Sequence, residues 1–386
     1  MSSLTVGTLN VTDRLILPRL TTSQINALTP EEGLIVYDTD DNYFKIYVNG
    51  SWVESNVGTG NQLYDFTSNT FVSAQARGTR EGPGFNAFQS AYSQQTFAND
   101  SSLFQSGSFT GVQRWTVPAT ATYEIEGGGA RGGRHSGGNP YNSHDIWGAK
   151  ITGQFDLTQG EQLEILCGSG GNAYNDPHGN EQGGGGASWV KNYTNDTLLL
   201  VAGGGGGCAG NRYGNSCSKN LNDAYGQTTN GVNATTCQGT YTTTTPQPGY
   251  GGYPAGPYAG QGGGGWFGGS PTNPSPWHCG SGPKSQADRL SQGAEGSHGS
   301  ACYTSQGQGN RGGFGSGGGG NLGGPGGAGG YTGGCASGGW SSYSQHGGGG
   351  GSFNVGANQT NVRGGHNQQP SGGTYSGEGY IKITLV

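Results

Sequence analysis

The sequence predicts a mainly β protein: a small N-terminal β-meander, then strands of a sandwich that run into a lattice of packed glycine-rich segments. Three observations carry this. Short apolar stretches alternate with period two and are separated by turn residues rather than by helical spacing. The C-terminal stretch Gly379-Tyr380-Ile381-Lys382-Ile383-Thr384-Leu385-Val386 alternates in the same way, as a closing strand should. Ten of the 85 glycines precede Gly127, and the other 75 lie between Gly127 and Gly379.

A field that is about 30% glycine usually marks a disordered tract. Each ordered glycine costs about 0.5–1 kcal/mol of extra backbone entropy relative to alanine. The placement of the glycines argues for folding nonetheless. Leu198-Leu199-Leu200-Val201-Ala202 leads straight into the run Gly203–Gly207, Ala187-Ser188-Trp189-Val190 follows Gly183–Gly186, and Ser352-Phe353-Asn354-Val355 follows Gly347–Gly351. A flexible linker has no reason to abut apolar strands repeatedly. Polyproline II geometry has three residues per turn and no internal hydrogen bonds. Chains without side chains can therefore approach until N–H and C=O groups bond between neighbours, as buried peptide groups must. An interior helix of this kind needs glycine throughout, whereas one at the perimeter carries a side chain per turn, as Gly323-Gly324-Pro325-Gly326-Gly327-Ala328-Gly329-Gly330-Tyr331 does. The strict glycine-X-Y repeat of collagen is not sustained.

From the N-terminus, Leu4, Val6, Leu9 and Val11 alternate ahead of Leu15-Ile16-Leu17-Pro18, giving strands too short for a core of their own. Thr22-Ser23-Gln24-Ile25-Asn26-Ala27-Leu28 reads as a helix ending before Pro30. Leu34 to Tyr37, Tyr43 to Val48 and Ser51 to Glu54 read as strands of a meander, the last two joined by the type I′ pair Asn49-Gly50. Residues 1–57 form this first module and Val57 to Gln62 a polar joint. From residue 63 to 126, aromatics recur without a helical period at Tyr64, Phe66, Phe71, Phe85, Phe88, Tyr92, Phe97, Phe104 and Phe109. Two strands follow, in Phe109 to Pro118 and Thr122 to Glu126. The glycine-rich domain with its closing strand occupies residues 127–386.

Leu17-Pro18-Arg19-Leu20-Thr21-Thr22, Leu28 to Asp38 and Phe44 to Val53, taken as an ordered phrase, resemble a module recurrent in bacteriophage tail fibres and related virion appendages. The resemblance implies a trimeric, virion-proximal attachment region. Phe109 to Pro118 with Thr122 to Glu126 resembles the opening of a tumour necrosis factor-like jelly roll. Followed by Gly127 to Gly133, Gly183 to Val190, Leu200 to Gly205 and a terminal strand, it is similar to the glycine-rich extracellular domain of anaplastic lymphoma kinase-type receptors and to the polyglycine II tip of T-even-like phage adhesins. The receptors lack the N-terminal module, so the phage comparison fits more of the chain. It implies a jelly-roll-like sandwich elaborated with polyglycine II helices.

Composition removes several functions. Charged residues are 10% of the chain and the net charge is -6, which is no nucleic-acid footprint. The three Arg-Gly-Gly triplets at Arg131, Arg311 and Arg363 read as lattice edges rather than RNA-binding motifs. Met1 to Val6 lacks the basic start and apolar core of a signal peptide, and no apolar run approaches a membrane span. Extracellular exposure is then expected by virion release. All seven cysteines, Cys167, Cys208, Cys217, Cys237, Cys279, Cys302 and Cys335, lie in the glycine-rich part without metal or redox spacing. They suit either disulfides, whose pairing the sequence leaves open, or small buried thiols, and an odd number leaves at least one without an intrachain partner.

No phosphate loop, metal-binding histidine pair or catalytic carboxylate motif stands out, so no catalytic residue, metal or cofactor is expected. Binding is the better expectation. The inserts Cys208 to Pro248 and Ser270 to Gln308 are polar and carry Tyr213, Tyr225, Tyr241, Trp277, His278 and Tyr303; Trp266-Phe267 and Trp340 to Tyr343 extend the set. Rings on loops give large contact area with little entropy to lose. Any of them can equally pack over the lattice edge. The expected protein is a virion tail fibre or adhesin, a homotrimer joined to other virion proteins by its N-terminal module and to a host-surface glycan or protein by loops. The alternatives are a purely structural capsid or appendage fibre and, less favoured, a glycan hydrolase.

Overall fold

The computed structural model describes residues 17–40, 43–55, 67–133, 145–172, 182–208, 221–229, 246–254, 260–271, 286–297, 311–320, 324–337, 346–365 and 377–386. The chain divides into two compact units, Met1–Asp65 with Pro118–Thr120, and Phe66–Val117 with Ala121–Val386. It is mainly β, with several antiparallel sheets and, among the described residues, no helical bundle.

In the first unit, strands β1 (Arg19–Leu20), β2 (Ile35–Asp38), β3 (Tyr43–Val48) and β4 (Ser51–Ser55) form one sheet in that order. β1 runs parallel to β2, and the other pairs are antiparallel. The short helix α1 (Thr22–Asn26) starts at a capping box. Gln24 N–H donates to Thr21 Oγ1 and Thr21 N–H donates back to Gln24 Oε1. It buries Ile25 and is tied to the sheet by Thr22 Oγ1 donating to Asp38 Oδ2 at 2.8 Å. Asp38 also takes the buried Lys45 ammonium at 2.7 Å. Asn49 and Gly50 have φ of 53° and 76°, both left-handed as the two-residue hairpin turn requires. The meander thus stands as expected; the alternating residues 4–16 lie outside the described residues.

The second unit is built on two antiparallel sheets. The strands in chain order are β5 (Ser68–Val72), β6 (Phe104–Ser106), β7 (Gln113–Thr116), β8 (Ala121–Gly128), β9 (Lys150–Leu157), β10 (Gln162–Leu166), β11 (Ser188–Asn192), β12 (Thr197–Ala202), β13 (Phe353–Asn354), β14 (Ala357–Val362) and β15 (Tyr380–Leu385). One sheet has the order β13-β12-β11-β10-β7-β6 and the other β14-β9-β8-β15-β5. The C-terminal strand lies between β8 and β5, with Ile383 opposite both Ile125 and Asn69. β11 and β12 pack across β8, closing a core that includes Trp115, Tyr123, Ile125, Leu163 and Leu200.

The aromatics between residues 71 and 104 form one cluster. Phe71 meets Tyr92, Phe97 and Trp115 at 5.9–6.2 Å, and Phe104 meets Tyr92 and Phe97. Helix α2 (Phe85–Ala91) buries Phe88 in this region, where the sequence shows no helical period. Seven residues are too few for a period to register.

The glycine runs that adjoin strands leave the sheets at one end. In one sheet Gly128 is opposite both Lys150 and Tyr380, so the end of β8 and the starts of β9 and β15 coincide. In the other, Leu166, Trp189, Val201 and Phe353 are in register, which aligns the ends of β10 and β12 with the starts of β11 and β13. The lattice continues the sandwich from these strand ends.

The run Gly203–Gly207 shows how it is held. Gly204 and Gly207 N–H groups donate to Gly329 and Gly326, both at 2.9 Å. Their carbonyls accept from Gly350 at 3.0 Å and Gly347 at 2.8 Å. The same neighbour therefore returns every third residue. Gly205 donates to Ala130 and accepts from Gly185; Gly206 donates to Ala224, and Gly203 accepts from Ala149. Neighbours at 326–329, 347–350, 182–185, 145–149, 224–227 and Ala130 thus surround one glycine line. A Cβ added to Gly203, Gly205, Gly206 or Gly207 would fall 2.0–2.1 Å from a neighbour's carbonyl oxygen. None of the five has a positive φ, so glycine is required here by close approach rather than by backbone conformation.

The Gly-Gly-X segment differs from the expected solvent edge. Pro325 and Ala328 are buried, and only Tyr331 among its X positions is partly exposed. Proline and alanine are small enough to lie between neighbouring lines.

Cys167 is a buried free thiol held by donation to Phe71 O at 3.3 Å, and burial pushes its ionisation up. Cys208 and Cys335 each take part in a disulfide. The three cysteines among the described residues therefore divide between the two roles that the sequence leaves open.

Candidate functional site

Of the residues that the sequence offers for receptor binding, the structure describes Tyr225. Tyr213, Tyr241, Trp277, His278, Tyr303, Trp340 and Tyr343 lie outside the described residues. Tyr225 is half-buried and packs against the cluster of Ile146, Cys208 and Ala224. Its carbonyl accepts from Gln227 Nε2 and lies 1.9 Å from where a Cβ on Gly349 would stand. The segment around it is itself a lattice line: Gly226 N–H donates to Trp147 O and Gln227 N–H to Gly350 O. An isolated glycine in Ala-Tyr-Gly-Gln gives no signal of this in the sequence.

The insert Ser270 to Gln308 also returns to the lattice. Ala287, Leu290 and Ala294 are buried, and the last two share a core cluster with Trp189, Trp266 and Phe314. Trp266 and Phe267, adjacent in sequence, separate in space. Trp266 meets Trp189 edge-to-face at 5.4 Å inside, while Phe267 is 51% exposed.

Phe267 belongs to a ladder of rings. Tyr250, 49% exposed, lies 6.3 Å from Phe267; Phe267 meets Tyr331 edge-on at 6.0 Å, and Tyr331 stacks on Phe353 at 4.9 Å. The backbone beneath is fixed. Phe267 N–H donates to Gly249 O at 2.7 Å, Trp266 N–H to Tyr331 O at 2.8 Å, and Gly249 N–H to Thr332 Oγ1 at 2.8 Å. Tyr250, Tyr331 and Phe353 are far apart in sequence, so only the lattice contacts reveal that they belong together.

Several charged groups are paired within the fold. Arg131 is buried, paired with Asp145 and 5.1 Å from the Trp147 ring centre, which makes the first Arg-Gly-Gly triplet part of the lattice. Glu164 takes Arg114 at 2.8 Å, Glu295 takes Arg80 at 3.1 Å, and Asp196 takes Lys191. Among the described residues, no group of three or more His, Cys, Asp or Glu is arranged to hold a metal, and no helix is long and apolar enough to cross a membrane.

Residues 2–71 match the family model described as a phage tail like trimerisation region. This region includes the whole meander of the first unit. The match supports a phage tail fibre-like structural protein, suggests a homotrimer, and suggests a component of a virion.

Proposed function

We propose that the protein is a trimeric virion fibre that joins the particle through its N-terminal module and attaches to a host surface through its glycine-rich unit. The observation that carries this is the joining, in one chain, of a phage tail-like trimerisation region to a rigid lattice that holds exposed rings. The glycine lines are polyglycine II helices, a reading supported by the three-residue return of each neighbour. The sandwich beneath them is jelly-roll-like. Attachment is the work of the aromatic inserts together with the Tyr250–Phe267 ladder, because rings on a rigid base lose little entropy on binding. Display on several copies multiplies weak contacts into firm attachment.

The protein acts without catalysis. Four of the carboxylates from which a glycan hydrolase would draw its pair, Glu164, Glu295, Asp145 and Asp196, are tied to basic partners. The test is adsorption of particles carrying alanine at Tyr250 and Phe267, and separately at Tyr241, Trp277 and Tyr303. Attachment should fall at least tenfold in one of the two sets while assembly and melting temperature stay within error of the parent. Unchanged adsorption in both sets, or loss of assembly first, contradicts the receptor-binding role and favours a purely structural fibre. Tyr225 is left out because its ring packs in the lattice.

A further inference from the structure

The first unit contains a sheet face that no other described element of that unit covers. Cross-strand register places Ile35 opposite Ile46, Ile46 opposite Val53, and Tyr37 opposite Phe44. Side chains alternate along each strand, so these residues and Val48 share one face. The other face carries Val36, Asp38 and Lys45 and is the side on which α1 packs. Ile25 and Val36 are 1% exposed and Asp38 is 0% exposed.

A sheet with a helix on one side and water on the other normally alternates apolar and polar residues. This one does not. Leu34-Ile35-Val36-Tyr37 and Phe44, Ile46, Tyr47 and Val48 are apolar toward both faces, as in strands covered on both sides. Yet Ile35 and Val48 are each 37% exposed and Val53 is 52% exposed. The charged residue on the open face is Arg19 at its edge, paired across the strands with Tyr37, its guanidinium 5.1 Å from the Tyr37 ring centre. Contiguous exposed apolar surface of this kind marks an interaction site.

We propose that the face formed by Ile35, Tyr37, Phe44, Ile46, Val48 and Val53 is the seam at which three copies of this chain pack together. The partner is a second and third copy because every one of these residues lies within the stretch that matches a trimerisation region. Its near-absence of charge suits burial against other copies, since a charge taken out of water without a partner is costly. The inference rests on the proposed trimeric fibre and adds which surface makes the trimer.

The test uses the full chain at micromolar concentration, with mass determined by light scattering. Val53→Lys places three like charges in the seam and should shift the mass from three chains to one, while Asn26→Lys, at an exposed position of α1, should remain trimeric. Val53→Cys, a milder change, should give crosslinked dimers and trimers with a bismaleimide on a denaturing gel. A trimeric Val53→Lys variant together with an uncrosslinked Val53→Cys variant overturns the seam and leaves the trimer standing. A monomeric parent overturns both. Should Val53→Lys fail to fold, the crosslinking result decides.

Discussion

Ser188 Oγ donates to Gly128 O at 2.7 Å and accepts from Gly168 N–H at 3.1 Å, joining the two sheets at the point where their strands become lattice lines. Gly379 passes so close that a Cβ there would lie 2.3 Å from the same oxygen. One hydroxyl therefore sits at the meeting of four segments, from β8, β10, β11 and β15. Replacing Ser188 by alanine removes two buried hydrogen bonds. We expect a loss of about 1–3 kcal/mol in unfolding free energy, read from the midpoint of a denaturant titration. An unchanged midpoint would show that the sheets and lattice are joined by other means.

Gly205 and Gly84 make a matched pair for the lattice. A Cβ on Gly205 would fall 2.0 Å from Ile146 O, whereas a Cβ on Gly84 meets nothing within 4 Å. Backbone has no room to yield when neighbours approach from all sides. Gly205→Val should abolish soluble folded protein, and Gly205→Ala should lower the melting temperature steeply. Gly84→Ala should fold normally, at a cost of about 1 kcal/mol or less for the changed helix N-cap. Equal melting temperatures for the two alanine variants would place Gly205 outside the lattice interior.

Glu378 gives the fold a pH dependence. It is buried on the segment leading into β15; Oε2 accepts from Gly170 N–H at 2.6 Å and Oε1 has no partner among the described residues. Burial pushes its carboxyl up from 4.5 to about 7, against the opposing pull of the Gly170 N–H, Arg77 and Arg131. Between these values the folded state holds a proton that the unfolded state has lost, so stability falls as pH rises from 4.5 to 7 and then levels. The linked change is about 3 kcal/mol. Glu378→Gln, which keeps the shape without the ionisation, should flatten that decline and be the more stable protein at pH 8. Denaturant titrations at pH 4, 5.5, 7 and 8 measure it. Parallel curves for parent and variant would contradict the assignment.

Asp38 holds α1 against the meander by accepting from Thr22 Oγ1, and it is paired with Lys45 of β3. Breaking a buried pair by removing one partner costs about 3–5 kcal/mol. Asp38→Ala should therefore release α1, seen as rapid proteolysis within residues 17–40 while the second unit keeps its melting temperature. Resistance equal to the parent would show that burial of Ile25 and the Thr22 N–H bond to Asp40 are enough to secure the helix.

Much of this was legible in the sequence, for reasons that differ by element. Leu34 to Tyr37, Tyr43 to Val48 and the left-handed pair Asn49-Gly50 announce the meander, because turn chemistry and apolar runs are local. Gly379 to Val386 announces the closing strand by its alternation. The glycine runs are visible as runs, but glycines carry no side chain to say which line lies beside which. The contact of Gly204 with Gly329 and Gly350 is therefore invisible until the fold is known. The same holds for Tyr225, whose segment has one glycine yet packs as a lattice line, and for the Tyr250–Phe267–Tyr331–Phe353 ladder. The face of Ile35, Ile46 and Val53 is written in the sequence as an unusually apolar meander, but only the packing of α1 on one side, among the described residues, shows which face is exposed.

The measurement that tests the account most directly is a reconstruction of the intact particle at a resolution that distinguishes the two units. The account predicts three copies per fibre, the meander at the end nearest the particle, and the glycine-rich unit at the free end with Tyr250 and Phe267 open to solvent. A glycine-rich unit buried against other virion proteins, or the reverse polarity with the meander outermost, would contradict it.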